Sequence, residues 1–155
     1  MAVVLLRPKI TKLWKKLPAA DQTIIKAKLL NRIVHETERL VRVSVAALTS
    51  QIARIEVPAG RWNELLSFLD ECSKSQQAGH REVAMLLFRA LAEHPKVTEF
   101  LHPHLRTLLG IVTTGLADPI PSVVTEALRA LGVILELLED QTDFEMFSAV
   151  VPPLV

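Results

Sequence analysis

The side chains able to do chemistry are few, and their spacing decides what they can do. His102 and His104 flank Pro103, with His94 nearby, and two imidazoles one residue apart are half of a metal site. No carboxylate or thiolate cluster completes a coordination shell, so the histidine pair reads as the beginning of a helix and no metal is assigned. Asp70, Glu71 and Cys72 adjoin on an expected helix, but no histidine is spaced to serve the thiol as a base. The five glycines occur singly, which excludes a phosphate-cradling loop. Nothing here supports catalysis or a cofactor, and the chain is expected not to be an enzyme.

Charge and composition restrict the partners. Eighteen Lys and Arg face seventeen Asp and Glu, a net charge of +1, which leaves no electrostatic footprint for a nucleic-acid backbone. The local excess at Arg7, Lys9, Lys12, Lys15 and Lys16 lies beside Ile10, Leu13, Trp14 and Leu17. It reads as a solvated helix face, with phosphate or acidic-partner binding as the alternative. The single cysteine, Cys72, excludes an internal disulfide and fits a reducing compartment. Apolar runs such as Val3 to Leu6 and Val150 to Val155 fall short of the roughly 20 residues a membrane span needs. Met1 to Leu6 followed by Arg7 does not read as a signal peptide.

Half the residues are hydrophobic and the mean hydropathy is +0.30, more apolar than a chain of 155 residues needs for its own core, so other protein surface is expected to cover part of it. Aromatics make up only 5%, and Leu, Val and Ala dominate, a mixture that suits close-packed helices. The expected class is all-α.

Internal repetition organises these helices. Leu40 to Ile52 laid beside Gly79 to Leu91 at a shift of 39 places Arg42 on Arg81, Val45 on Ala84, Leu48 on Leu87 and Ile52 on Leu91. A further shift of 43 brings Ala127, Ala130 and Ile134 into register. These periods match the roughly 40 to 47 residues of HEAT and armadillo repeats. In the first segment Val41, Val45, Leu48 and Ile52 form one apolar stripe. A helix precedes each segment: Thr23 to Val34, Trp62 to Cys72 and Leu105 to Leu116. The earlier member of each pair is the A helix and the aligned segment the B helix.

Punctuation agrees with this division. Pro18 with Asp21, Pro58 with Gly60, Pro95 and Pro103 sit where helices should begin or end. Asp118-Pro119-Ile120-Pro121-Ser122 is an A-to-B turn, with Ser122 the expected N-cap of a helix running to Leu138. Ala46, Ala53, Ala84, Ala90, Ala127, Ala130 and Gly132 are expected to let helices approach closely, and Trp14 and Trp62, each within an apolar helical stripe, to anchor packing between repeats.

The expected architecture is an α-solenoid of antiparallel HEAT-repeat pairs, truncated at both ends. Residues 1–17 read as the end of a first repeat, 20–56, 61–94 and 98–138 as whole repeats, and 142–155 as the start of another. Ala2 to Leu6 matches the later half of a B helix, and Phe144 to Val155 the start of an A helix.

The stretch from Ala2 to Trp14, then Val41-Arg42 with Val45-Ala46, Trp62-Asn63-Glu64-Leu65-Leu66-Ser67-Phe68-Leu69 and Arg81-Glu82-Val83-Ala84, resembles the amino-terminal region of the β-karyopherin (importin-β) nuclear transport receptors, nearest the importin subunit beta-4 branch. Pro8 departs from the pattern, which has a basic helical residue there, and would kink or end that helix. The resemblance implies a receptor that binds basic cargo, ribosomal proteins or histones, and releases it to Ran-GTP. It also implies contact with phenylalanine-glycine nucleoporins and shuttling between cytoplasm and nucleus, without direct binding to nucleic acid or membrane. Of the Ran-contacting repeats only the second and third are intact, so weak Ran binding or none is expected of this piece.

If B helices line the concave face, as in that family, the side of each helix opposite its stripe is where a partner would touch. That side holds Val43, Ala47, Ser50 and Arg54 on the first B helix, Glu82, Leu86, Arg89 and Glu93 on the second, and Thr125, Arg129, Gly132 and Glu136 on the third. The expected partner-binding residues are Arg54, Glu82, Arg89, Glu93, Arg129 and Glu136, whose mixed charge suits a protein. Rival readings are a HEAT scaffold module of a phosphatase, tubulin-binding or chromosome-organising complex, and a HEAT-like nucleic-acid enzyme, which would need a basic concave face.

Overall fold

The computed structural model describes residues 9–137, all of whose regular structure is helical. Residues 9–14 form α1, followed by α2 (Ala19–His35), α3 (Arg39–Glu56), α4 (Glu64–Ser73), α5 (Ala78–Ala92) and α6 (Pro95–Leu101). A 3-10 turn, His102–His104, leads into α7 (Leu105–Leu116), and α8 (Pro121–Leu137) follows. The readings for Ala2 to Leu6, Pro8 and Phe144 to Val155 lie outside the described residues.

Local chemistry sets the boundaries. Pro18 precedes α2, and its carbonyl accepts the Gln22 N–H at 3.1 Å. Asp21 in the first turn and Arg32 and His35 in the last complement the helix dipole. Only three residues link α2 to α3, so the chain doubles back on itself. At the end of α3, Gly60 adopts φ 71°, a left-handed conformation that side chains resist, and the Arg61 N–H returns to the Glu56 carbonyl at 2.9 Å. A proline at the first turn starts α6, where its missing donor costs nothing.

The helices form two layers. α3, α5 and α8 pack side by side, with α5 in the middle. α2 covers α3, α4 covers α5, α7 covers α8, and α4 also meets α7. Each pair buries its aliphatic faces against its own partner and the next pair, as solenoids do. The most deeply buried side chains include Ile33, Leu65, Leu87, Phe88, Leu91, Leu109 and Ile134. This is an all-α helical-repeat stack, and α7 occupies the range expected of it.

Several local expectations need correction. Trp62 is buried as expected, but it lies in the loop before α4 and not on a helical stripe. Ser122 is not the N-cap: the helix already begins at Pro121, and the Asp118 carboxylate accepts the Ile120 N–H at 2.9 Å to shape the turn. The stripe on α3 emerges at its first turn, where Leu40 and Val41 are exposed. α6 had no sequence counterpart, because its seven residues carry too short a pattern to show a period. Ala46, Ala53, Ala84, Ala127 and Ala130 are buried, whereas Gly132 is exposed, with nothing near an added Cβ. The close approach is at Gly115 instead, where a Cβ would lie 3.0 Å from the Ala127 Cβ and the Met85 Cε.

This packing predicts that Leu87→Ala, at a fully buried position of the central helix, lowers stability by about 2–5 kcal/mol in urea unfolding followed by circular dichroism. Leu40→Ala, on a residue 77% exposed, should change it by less than about 0.5 kcal/mol. Equal losses would contradict the burial pattern.

Candidate partner-binding face

The layer α3–α5–α8 holds the residues expected to meet a partner, and most are first engaged with one another. Glu82 on α5 is buried and lies against Arg39 at the start of α3, whose Nε donates to its two oxygens at 3.0 and 3.3 Å. Its carboxylate is therefore committed to joining two repeats. Arg89 donates from Nη1 to Glu93 at 3.1 Å, and its Nε lies 3.5 Å from the buried Glu126 of α8. Arg129 donates to the other Glu126 oxygen at 2.6 Å. Arg54 on α3 is half-buried and donates to the Ala90 carbonyl of α5 at 3.1 Å. Glu93, Arg129 and Glu136 are exposed. The result is a line of alternating charge running across all three helices, with Arg54 toward the far end of α3.

Arg39 and Glu126 complete this line, and the helical wheel missed both. The wheel assumes one buried side and one free side, but a helix in a row has neighbours on both flanks. Ser50 shows the consequence: it lies on the supposedly free side yet is buried, its hydroxyl donating to the Ala47 carbonyl at 2.7 Å. The readable signal was opposite charge at about one repeat's distance, since Arg39 and Glu82 are 43 positions apart.

A second set of joints fixes the links between A and B helices. Arg42 and Arg81, aligned by the repeat, do the same work. Arg42 Nη1 donates to the Glu36 carbonyl at 3.0 Å, and Arg81 Nη1 to the Ser75 carbonyl at 2.9 Å, each six residues back. Arg81 then reaches the turn of the next repeat through a forked pair to Asp118, with Nη2 to Oδ1 at 3.2 Å. The Arg42 guanidinium packs over Gly79, where an added Cβ would overlap it at 2.6 Å. His80 Nε2 faces the Val34 carbonyl at 2.9 Å; a carbonyl only accepts, so Nε2 carries the proton and Nδ1 receives the Ser75 hydroxyl.

At the other edge, Glu56 is fully buried at the end of α3. It accepts from Trp14 Nε1 at 3.0 Å, Lys26 Nζ at 3.3 Å and Arg61 Nη2 at 2.8 Å. Lys26 also sits 5.8 Å from the Trp62 ring centre. Burial alone would raise the Glu56 pKa, but the hydrogen bonds from Arg61, Trp14 and Lys26 outweigh it and hold the carboxyl below its ordinary value. Both tryptophans are thereby fixed around one carboxylate.

The remaining reactive groups are quiet. Burial, with Glu71 adding repulsion, pushes the Cys72 thiol up to about 12, so it is not a thiolate at neutral pH. His102 and His104 are exposed on the 3-10 turn. Among the described residues no three His, Cys, Asp or Glu side chains come together to hold an ion.

Stacked helix pairs joined by ion pairs to buried carboxylates define a helical-repeat protein. Residues 37–155 match the family described as "IPO5-like, TPR repeats". The chain is 28% identical over 131 residues to a probable importin-5 homolog of Dictyostelium discoideum, covering 84% of this chain and 12% of that protein. It is 30% identical over 93 residues to a probable importin subunit beta-4 of Schizosaccharomyces pombe, covering 60% and 9%. Importin-4 of Mus musculus is 28% identical over 155 residues, covering 99% and 14%. The chain belongs to the importin-β family, in its helical-repeat region and near the beta-4 branch. It spans between 9% and 14% of the length of these curated relatives.

Two predictions follow from the joints. Glu56→Gln should cost about 3 kcal/mol, because it leaves buried donors facing a neutral amide, and should red-shift tryptophan emission. The Asp118 carboxyl is held below its ordinary pKa by Arg81. Its contribution to stability is complete above about pH 4, the unfolded value, and is lost as pH falls through the lower folded value. Asp118→Asn should therefore lower the urea midpoint at pH 7 and make it less dependent on pH between about 5 and 2. A variant with the wild-type pH slope would show that the pair contributes nothing.

Proposed function

We propose that this chain is part of a nuclear import receptor, and that its α3–α5–α8 layer contributes to the surface that holds protein cargo. Family membership over residues 37–155 carries the reading. The cargo is a protein with basic segments, of the histone or ribosomal-protein kind, released when Ran-GTP occupies the amino-terminal repeats of the whole receptor. Phenylalanine-glycine nucleoporins are the partners during passage between cytoplasm and nucleus. The role is binding, without catalysis or cofactor.

Within the layer, Glu93 and Glu136 are the exposed carboxylates suited to basic side chains, while Arg54, Arg89 and Arg129 set register and exclude partners of the wrong charge. Glu82 acts from beneath by holding Arg39 in the line. Exposed pairs of this kind contribute modestly one by one, so affinity rests on several together.

The test is fluorescence anisotropy with labelled histone-tail and ribosomal-protein basic peptides. Binding should saturate, and Glu93→Lys with Glu136→Lys should weaken it by at least about fivefold. In a longer receptor, Ran-GTP should displace the peptide. Equal binding by wild type and the double variant would remove this face from the cargo site.

A further inference from the structure

A cavity of about 560 Å3 opens where the end of α3 meets the chain after α1 and the entry to α6. Lys15, Arg54, Arg61, His94 and Lys96 line it, and among the described residues no carboxylate does. Ile55, Pro58 and Ala59 supply an apolar part of the wall. Three separate stretches of chain thus bring basic groups to one concavity. The basic face of Lys9, Lys12 and Lys16, all exposed, continues from Lys15.

Part of this charge has a structural use. Arg61 pairs with Glu56, and Arg54 bonds the Ala90 carbonyl near the end of α5. Lys15 and Lys96 are exposed and have no ion pair among the described residues. His94 adds an independent sign of a missing acceptor or donor: its Nδ1 is buried without a hydrogen-bond partner among the described residues. Burial, then the charges of Arg54 and Lys96, hold that ring below its ordinary pKa.

We propose that this cavity binds an acidic peptide segment, a run of Asp and Glu side chains on a protein partner. Its volume exceeds what a single phosphate group fills and lies in the range of sites that enclose a ligand of several groups. Basic side chains around the wall match several carboxylates at once, and the apolar part suits the methylenes and backbone between them. A nucleic acid fits less well, since Trp14 and Trp62 are buried and offer bases no stacking surface. The occupant is opposite in charge to basic cargo; Arg54 borders both surfaces, but Lys15 and Lys96, which the test changes, line only the cavity, so the proposal does not depend on that reading.

The experiment is fluorescence anisotropy of the 155-residue chain with a fluorescein-labelled peptide of about ten alternating Asp and Glu residues, at low ionic strength and at roughly 0.15 M salt. Saturable binding that weakens with salt is expected, with at least about a tenfold loss in Lys15→Glu/Lys96→Glu and an intermediate loss in Lys15→Gln/Lys96→Gln. Lys28→Glu/Arg106→Glu carries the same charge change on exposed residues outside the cavity and should stay within about twofold of wild type. Circular dichroism and the urea midpoint establish that each variant folds. Absence of saturable binding, equal binding of a peptide of the same length with Asn and Gln in place of Asp and Glu, equal losses in the two charge-reversed variants, or tighter binding of an oligonucleotide of equal charge would each overturn the proposal.

Discussion

Buried carboxylates paired with cations from neighbouring elements are the constraint on which the rest of the structure depends. Aliphatic faces supply most of the driving force, but such contacts tolerate sliding and rotation. A charge taken out of water tolerates neither, because an unpaired buried carboxylate is far more costly than the pair is favourable. Glu56, Glu82 and Glu126 are all buried on the B-helix layer, and Asp118 lies in the turn before α8. Their cations come from another helix or loop: Lys26 and Arg61 serve Glu56, with the neutral Trp14 indole as a further donor, Arg39 serves Glu82, Arg89 serves Glu126 and Arg81 serves Asp118. The Glu56, Glu82 and Asp118 joints are hydrogen-bonded at one spacing, and Arg89 stands 3.5 Å from Glu126, which together give a row of greasy helices a defined register.

How much of this was legible in the sequence depends on the distance between the interacting residues. The all-α class, the helix pairs and the limits of α7 came from periods of three to four residues, which a single strand of sequence displays. Alignment of Arg42 with Arg81 already contained the equivalence of their roles, though not the carbonyls they hold. A helical wheel puts Glu82 on the partner-facing side because its own partner, Arg39, stands 43 positions away, beyond the reach of any wheel. Apolar spacing continues through the loop that holds Trp62 and so imitates a helix there, and only the packed structure brings Ala127 and Met85 against Gly115. The basic cavity was half visible: the lysines near Trp14 were evident, but Arg54, His94 and Lys96 join Lys15 only through the stack.

Family membership and physical reading lead to the same class of protein, and the two proposals place two surfaces on it. The α3–α5–α8 layer carries both signs of charge, much of it already internally paired, and suits a partner that meets it broadly. The cavity beside α1 is basic and concave, and suits a short segment of opposite charge. The two meet at Arg54, near the end of α3.

The most direct measurement is a double-mutant cycle on Arg81 and Asp118, using Arg81→Met, Asp118→Asn and the combination in urea unfolding at pH 7. A coupling free energy of at least about 1.5 kcal/mol is expected, since either single change strands its partner between repeats. Additivity within about 0.5 kcal/mol would contradict the claim that buried ion pairs set the register of the stack.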